Sequence, residues 1–234
     1  MEKKSLKVEV WSDLLCPFCY IGKRRLEGAL ARFAHAGEVE VEWRAFELDP
    51  RAPAAYPGTV NDLLVRKYGM SPARAQAAHD DVTALAAKDG LDYRFDRARP
   101  GNTLDGHRVV QMAKAVGKGD AMEERLMRAY FTEGASLADR AELARLAGEV
   151  GLDAAGVKAA LEGDAEVDAV RADEREAAEL GIRGVPAFVI GGTHLVSGAQ
   201  SVDTIVKALE AAWDARPAAT AGEGAACTDE ACAS

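Results

Sequence analysis

Two cysteines with a three-residue spacing, Cys16 and Cys19, are the side chains whose types most directly suggest chemistry. Pro17 and Phe18 separate them, a strand-like segment precedes them, and a helix-like segment follows. On an α-helix, positions i and i+3 have Cα atoms about 5 Å apart, which lies within the window for an unstrained disulfide. The pattern therefore predicts a redox-active pair at the start of a helix.

The expected position of Cys16 at the helix N-cap gives the two thiols different roles. Pro17 suits the first helical position, where its missing N–H is not needed. The free amides and the positive end of the helix favour a thiolate at Cys16, and the basic residues 23–25 add positive charge nearby. We therefore predict that Cys16 is the nucleophile and that Cys19, one turn inward, is the resolving thiol. Two core cysteines, or half of a zinc site, are the alternatives, and neither explains the intervening proline.

A second pair of cysteines, Cys227 and Cys232, lies near the C-terminus with a C-x4-C spacing. In a continuous helix these positions are about 8.6 Å apart, beyond the ~7 Å limit for a disulfide, so a bridge requires a turn or a frayed helix. Three interpretations remain open: an auxiliary redox pair that exchanges with Cys16 and Cys19, additional zinc ligands, or incidental tail residues. The first is favoured, because the Pro-, Ala- and Gly-rich tail is long enough to move.

Composition narrows the classes of partner and the compartment. The chain has 234 residues, is 48% hydrophobic and carries a net charge of −9, which argues against nucleic acids and anionic membranes as partners. No segment resembles a signal peptide, and none approaches the ~20 apolar residues that span a membrane. We therefore expect a cytoplasmic protein, in which four cysteines are more typical of catalysis or metal binding than of a structural disulfide framework.

Hydrophobic periodicity predicts strands and helices at both ends of the chain and only helices between them. Alternation of apolar and polar residues, together with apolar runs, predicts the elements at both ends of the chain. The N-terminal elements are strands at 6–11 and 39–46 with a helix from Pro17 to about His35 between them. The C-terminal elements are strands at 185–190 and 193–197, joined by a hairpin turn at Gly191-Gly192, and a helix at 202–213 that is capped by Ser201. The intervening helices are expected to begin at these caps and capping boxes: Ser71-Pro72, Asp120 with Glu123, Ser136 with Asp139, Asp153, and Asp164.

This order, β-α-β, helices, β-β-α, predicts an α/β protein with a thioredoxin fold interrupted by a large all-helical insert. The corresponding division of the chain is as follows: residues 1–48 and 183–214 form the thioredoxin-like domain, residues 49–182 form the helical insertion domain, and residues 215–234 form a cysteine-containing tail.

Three motifs make the chain resemble the DsbA-like thioredoxin superfamily, specifically its FrnE-type disulfide oxidoreductases and isomerases. They are CPFC at 16–19, GVPAFVI at 184–190, and the position of the insert between the two halves of the fold. The segment NTLDGHR at 102–108 also resembles a stretch of this branch and of kappa-class glutathione transferases.

The resemblance implies a cis peptide bond before Pro186. The Val185 backbone would then face the thiols and pair with an extended substrate peptide, as in β-augmentation. Phe18 stands where the strongly oxidising members carry a histidine, which predicts a weaker oxidant. An edge-strand start with a trans proline is the alternative.

Several further side chains are candidates for the pocket around the thiols. Trp11 and Asp13, together with Pro17 and Phe18, are expected to shape it, and Asp13 could instead be a simple polar loop residue. His107 is predicted to line the cleft, with a hydrogen-bonded structural histidine as the alternative. His79 is expected to be exposed, and the charged segment 166–179 to be a solvated helix face with i,i+4 pairs.

The leading functional prediction is a thiol–disulfide oxidoreductase and protein disulfide isomerase that acts on disulfide-containing proteins. It needs no cofactor and no metal, and it needs a thiol reductant system, for which glutathione is one candidate. A glutathione-dependent isomerase resembling 2-hydroxychromene-2-carboxylate isomerase is the second hypothesis, disfavoured because such enzymes usually carry serine at the position of Cys16. A zinc-binding or chaperone-like module that uses all four cysteines is the third.

Overall fold

The computed structural model describes residues 5–216, so Cys227 and Cys232 lie outside the described residues. The strands are β1 (Leu6–Ser12), β2 (Val39–Ala45), β3 (Ala187–Ile190) and β4 (His194–Ser197). The α-helices are α1 (Pro17–Leu30), α2 (Val60–Tyr68), α3 (Pro72–Lys88), α4 (Leu104–Lys114), α5 (Gly119–Arg128), α6 (Arg140–Glu149), α7 (Ala154–Glu162), α8 (Val167–Glu179) and α9 (Val202–Asp214). A 3₁₀ turn covers Ala36–Glu38 and a π-helical turn covers Ala129–Glu133.

The four strands form one sheet in the order β2-β1-β3-β4. β1 pairs with β2 in parallel, β1 with β3 antiparallel, and β3 with β4 antiparallel. The parallel pair is connected through α1, as a crossover requires. Helices α2–α8 lie between β2 and β3 in the chain, so the predicted thioredoxin fold with a helical insert is confirmed. The exact division into domains stays a prediction.

The two faces of β1 are buried by different helices. Val8 and Val10 belong to the large core that also contains α1 and α9 residues, and these two helices contact each other. Trp11 belongs to a smaller cluster on the other face, with Ala177 of α8 and Val189 of β3. A strand buried on both faces fixes the start of α1 firmly, because Ser12 is only four residues before Cys16.

Several predicted helix starts are confirmed by their caps. The side chains of Ser71, Asp153 and Ser201 each accept a hydrogen bond from a backbone N–H of the first turn of α3, α7 and α9, respectively. The β3–β4 turn also agrees with prediction, because Gly191 and Gly192 have φ angles of 60° and 72°. This left-handed region is readily accessible only to glycine.

Other predicted boundaries were wrong because a tertiary contact or a local turn competes with the expected cap. α1 ends at Leu30, about five residues before the predicted end, and turns follow it. Asp120 does not cap α5, because its carboxylate accepts from Lys23 and from the Trp43 indole. Asp139 is itself the N-cap of α6, in place of a box that starts at Ser136.

The start of α8 also differs from the prediction. The N-cap is Glu166, with a φ angle of 63°, rather than Asp164. The segment that follows is not uniformly solvated, since Asp173 is buried. Its carboxylate accepts from the Ala45 N–H, the Arg44 guanidinium and the Gln111 amide. α8 is therefore bound to β2 and α4 by a buried polar network that sequence periodicity does not reveal.

Candidate active site

The first turn of α1 holds both thiols where the sequence predicted them. Cys16 is the N-cap, in an extended conformation with φ −81° and ψ 115°, and Pro17 follows at the first helical position. The Cys16 N–H donates to the Asp13 carbonyl at 3.0 Å, and the Cys19 N–H donates to the Cys16 carbonyl at 3.0 Å. Both thiols are free, with residue exposures of 5% for Cys16 and 0% for Cys19. Cys16 is thus the more accessible of the two sulfurs.

The Val185–Pro186 peptide bond is cis and lies against the thiol of Cys16. The Cys16 Sγ is 3.8 Å from the Val185 carbonyl oxygen. Val185 is half-buried, and Pro186 is buried just before β3. α1 approaches this turn closely at Gly22, where an added Cβ would be 2.9 Å from the Pro186 Cγ. Only glycine therefore permits this packing of α1 on the proline.

The environment of Cys19 differs from that of Cys16. Burial raises the pKa of the Cys19 thiol well above its usual range, and the adjacent Cys16 thiol raises it further. Cys19 is therefore held as a neutral thiol in the resting site. This agrees with a resolving role, in which the second sulfur ionises only after the first has reacted.

Asp13 lies beside the thiols, as predicted, and its carboxylate organises two loops. One oxygen accepts from the Leu15 N–H at 3.1 Å, and the other accepts from the Leu48 N–H at 2.7 Å. Burial raises the pKa of this carboxyl to about 6, in spite of these two backbone donors. Asp13 therefore fixes the segment after β2 against the segment that leads into α1.

An apolar cavity of about 360 Å³ opens beside Cys16. It lies between the start of α1, the connection after β2, helices α2 and α3, and residues 95–103. Asp13, Pro17 and Phe18 line it, as expected of residues that shape the pocket. Tyr130 of the π-helical turn also lines it. Val185 and Pro186 are not among its lining residues, although Cys16, which lines it, is also in contact with the Val185 carbonyl.

The structure corrects the predicted positions of Trp11 and His107. Trp11 is on the opposite face of the sheet, where its indole N–H donates to the Asp173 carbonyl at 2.9 Å. His107 is buried and does not line the cavity. Burial lowers its pKa to about 3, and its ring hydrogen-bonds the backbone of Phe46. It is therefore the structural histidine that was the alternative interpretation.

His79 lines the cavity, although the sequence interpretation placed it on an exposed surface. It is buried and stacks on Phe95, with 4.4 Å between the ring centroids. Burial lowers the pKa of the ring, which favours its neutral form. The signal was present in α3, where Ala75, His79, Val82 and Ala86 recur at the i, i+4, i+7, i+11 spacing of one buried face.

The basic residues that follow the thiols do not supply free positive charge to the site. Lys23 is buried and forms ion pairs with Glu27 and Asp120 at 2.6 and 2.9 Å. Arg24 pairs with Glu27 and Glu124, and Arg25 with Asp89 at 3.0 Å. Because each cation has a carboxylate partner, the expected basic environment is largely neutralised.

The NTLDGHR segment has a structural explanation. The Asn102 amide donates to Glu47, which helps to position the connection after β2. The buried Arg108 guanidinium donates to the carbonyls of Ala160 and Gly163 at the C-terminal end of α7, and to the carbonyl of Ala165 in the turn that follows. The carbonyls at the end of a helix lack the intrahelical partners of the interior ones, and Arg108 supplies donors there. Asn102 and Arg108 thus support the connection after β2 and the insert, whereas Thr103 of the same motif lines the cavity at Cys16.

Comparison with known proteins agrees with this geometry. Residues 7–210 match the model of the DSBA-like thioredoxin domain. The chain belongs to the DsbA-like thioredoxin family. A probable DsbA oxidoreductase of Streptomyces coelicolor is 43% identical, with a TM-score of 0.88, over 98% of this chain and 99% of that chain. The FrnE-type branch stays a prediction.

Two further relatives extend the comparison. The uncharacterized protein YwbO of Bacillus subtilis is 33% identical over 207 residues, which cover 88% of this chain and 96% of that protein. The cytosolic disulfide reductase DsbM of Pseudomonas aeruginosa has 22% identity and a TM-score of 0.62, over 89% of this chain and 99% of that chain, which shows a shared fold.

Neither a metal cluster nor a membrane span is found within residues 5–216. No group of three or more His, Cys, Asp or Glu side chains is placed there to hold a metal ion. No helix there is long and apolar enough to cross a membrane. The zinc hypothesis requires Cys227 and Cys232, which fall outside the described residues.

Proposed function

We propose that this DsbA-like protein is a thiol–disulfide oxidoreductase that reduces and isomerises disulfides of protein substrates. The observation that carries the proposal is the position of Cys16, which is the N-cap of α1 and lies 3.8 Å from the Val185 carbonyl beside a cis proline. A second thiol follows one turn later, within the same buried site. This arrangement offers a nucleophile, a resolving group and a polypeptide backbone beside them.

The reaction has two thiol–disulfide exchanges. The Cys16 thiolate attacks one sulfur of the substrate disulfide, forms a mixed disulfide, and displaces the other substrate sulfur as a thiolate that takes up a proton. Cys19 then loses its proton and attacks the Cys16 sulfur, which forms the Cys16–Cys19 disulfide and releases the second substrate thiol. The substrate gains two electrons and the protein loses two, so an external thiol reductant must restore the pair.

The Val185 backbone is the proposed docking point for the substrate chain. Val185 lies just before β3, and no turn or loop hydrogen bond of residues 5–216 uses its N–H. An extended peptide that pairs with this residue would place its own disulfide beside Cys16, in the manner of an added strand. Glutathione is a candidate reductant, and the cytoplasm predicted from the sequence is the proposed place of action, where exchange would favour reduction over net oxidation.

Insulin reduction and the reactivation of scrambled ribonuclease test the proposal. We expect both activities from the wild-type protein in the presence of dithiothreitol, and neither from Cys16→Ser. Cys19→Ser is the matched variant, since it retains the nucleophile and should accumulate a mixed disulfide with substrate that mass spectrometry detects. Activity that persists in Cys16→Ser would show that the chemistry does not use this thiol.

The tail pair is a separate part of the proposal. Cys227 and Cys232 are proposed to exchange with the first pair, on the basis of their spacing and position in the sequence alone. Thiol trapping followed by mass spectrometry tests this exchange, when the wild-type protein is compared with the Cys227→Ser/Cys232→Ser variant. The small-molecule isomerase is not favoured, because Cys16 and Cys19 are both present and both thiols lie in the same site.

A further inference from the structure

Tyr130 carries a buried hydroxyl at the cavity beside Cys16, and the two exchange steps leave this hydroxyl without a role. Only 2% of the residue is exposed, it lines the cavity, and its hydroxyl has no hydrogen-bond partner within residues 5–216. A buried tyrosine hydroxyl usually finds a partner, so one without a partner needs an explanation. Burial raises the pKa of this hydroxyl, and the nearby Asp13 carboxyl raises it further. The hydroxyl therefore keeps its proton and remains a donor.

The π-helical turn that follows α5 holds Tyr130 close to the first turn of α1. The neighbouring Phe131 stacks on Tyr93, with 4.5 Å between the ring centroids. The Tyr93 hydroxyl donates in turn to the Pro17 carbonyl at 2.6 Å, in the first turn of α1. Single π-helical turns inside helices occur frequently at functional sites. The position of Tyr130 relative to the thiols is therefore fixed by packing.

Other polar side chains that line the cavity already donate to an acceptor. The Tyr56 hydroxyl and the Lys67 ammonium both contact the Asp49 carboxylate, at 2.8 and 2.7 Å. The Thr103 hydroxyl donates to the Asp13 carboxylate. These donors are therefore committed, whereas the tyrosine of the π-helical turn has its donor available, as far as the described part of the chain shows.

Thiol–disulfide exchange at Cys16 creates a negative charge for which a fixed donor lowers the barrier. The attacking, attacked and leaving sulfurs lie nearly in one line, so the leaving sulfur is about 4–5 Å from the Cys16 Sγ, or two stretched S–S bonds. The cavity of about 360 Å³ beside Cys16 has room for that atom. Its walls are mainly apolar, and a charge that forms in such surroundings is costly without a donor. A preorganised hydroxyl supplies the donor as the charge develops.

We propose that the Tyr130 hydroxyl donates a hydrogen bond to the leaving sulfur of the substrate disulfide while Cys16 attacks. The proposal rests on the thiol–disulfide function of Cys16 and adds a catalytic residue to it. The Cys16 thiolate forms a bond to one substrate sulfur, the substrate S–S bond breaks, and its electron pair stays on the departing sulfur. Tyr130 keeps its own proton, and the departing thiolate then takes up a proton from solvent, so this step needs no further oxidant or reductant.

The dependence of the rate on the leaving group tests the proposal. Two probes place the attacked sulfur on the same short neutral cysteine peptide: its mixed disulfide with 5-thio-2-nitrobenzoate, and its symmetric disulfide. The aromatic thiolate spreads its charge and is a weak acceptor, whereas the departing peptide thiolate, with an ordinary thiol pKa of about 8.5, is a strong one. A Cys19→Ser background stops the reaction at the first mixed disulfide, which rapid acid quench and mass spectrometry measure under excess probe. Cys16→Ser/Cys19→Ser gives the background rate from other thiols.

In the Cys19→Ser background, we expect Tyr130→Phe to lower the rate constant about tenfold on the symmetric disulfide and less than about twofold on the aromatic one. Tyr20→Phe is the matched control, because the Tyr20 hydroxyl donates to Glu124 at 2.7 Å and Tyr20 does not line the cavity. It should leave both rate constants unchanged. The ratio of the two rate constants within one protein cancels any change in the reactivity of Cys16, so a merely structural effect of Tyr130→Phe does not alter the ratio.

The outcomes separate the donor role of Tyr130 from the function on which it rests. Rate constants of the Cys19→Ser protein that equal the background on both probes would refute the thiol–disulfide function of Cys16. Reaction above that background, with the same fold loss on both probes in Tyr130→Phe or with no loss on either, would refute only the donor role. A change of the ratio by Tyr20→Phe as large as that by Tyr130→Phe would also refute it.

Discussion

Glu123 of α5 is a buried carboxyl beneath the active-site loop whose ionisation should destabilise the protein. Only 1% of the residue is exposed, and its Oε1 atom has no hydrogen-bond partner among the described residues. Burial raises the pKa of this carboxyl to about 7, and the nearby Ser12 and Lys23, which favour the ionised form, offset the effect only in part. We predict that Glu123→Gln, which keeps the shape and removes the charge, stabilises the protein only when Glu123 would be ionised.

The magnitude follows from the linkage between protonation and folding. The folded-state pKa of about 7 lies above the ordinary value of 4.5, so the folded protein retains a proton that the unfolded chain has lost. Stability therefore falls as the pH rises from the unfolded to the folded pKa, and the loss is complete above the latter. At about 1.4 kcal/mol per pKa unit, the full loss is about 3 kcal/mol. Glu123→Gln should therefore change stability little near pH 5 and increase it by about 2–3 kcal/mol near pH 8.5, relative to wild type.

Urea denaturation at these two pH values, in the presence of a reductant, measures both free energies of unfolding. Glu210→Gln removes the same charge from an exposed position of α9 and is the matched control. It should show no comparable pH-dependent gain. A stabilisation by Glu123→Gln of equal size at both pH values, or a loss at the higher pH, would refute the argument that burial of the charge is the cause.

Two further substitutions test the packing behind the site. Gly22→Ala places a Cβ 2.9 Å from the Pro186 Cγ. It should lower kcat/KM for insulin reduction roughly ten- to a hundredfold, because it displaces the cis-proline turn from the thiol. The control is Gly37→Ala, which has no atom within 4 Å of the new Cβ and should have no effect; equal activity of the two variants would contradict the close-packing argument. Arg108→Ala removes the donor to the carbonyls at the end of α7, and it should lower the free energy of unfolding in urea by about 3 kcal/mol or more. The control Arg128→Ala changes a well-exposed position and should lower the free energy of unfolding by less than about 1 kcal/mol. A similar loss from both arginine variants would show that the buried contacts contribute little.

The order of elements and the thiol pair could be predicted because their signals are local. Cys16, Pro17 and Cys19 carry their geometry in a four-residue motif, and the caps at Ser71 and Ser201 require only the first turn of a helix. The predicted caps at Asp120 and Asp164 were wrong. The Asp120 carboxylate instead accepts from Lys23, which is distant in sequence, and at the start of α8 a local turn makes Glu166 the N-cap in place of Asp164.

The β-α-β, helical, β-β-α order and the place of Cys16 at a helix start could be read from the residues, since periodicity and capping depend on neighbours within a few positions. Which side chains surround that thiol depends on how the helices and strands pack, and it became visible only in the folded protein. His107 and Trp11, which were predicted to lie at the thiols, do not line the cavity, whereas His79, which was predicted to be exposed, does. The reason is physical: each of these positions depends on packing between elements far apart in the chain, and helical or strand periodicity specifies a buried face without specifying what covers it.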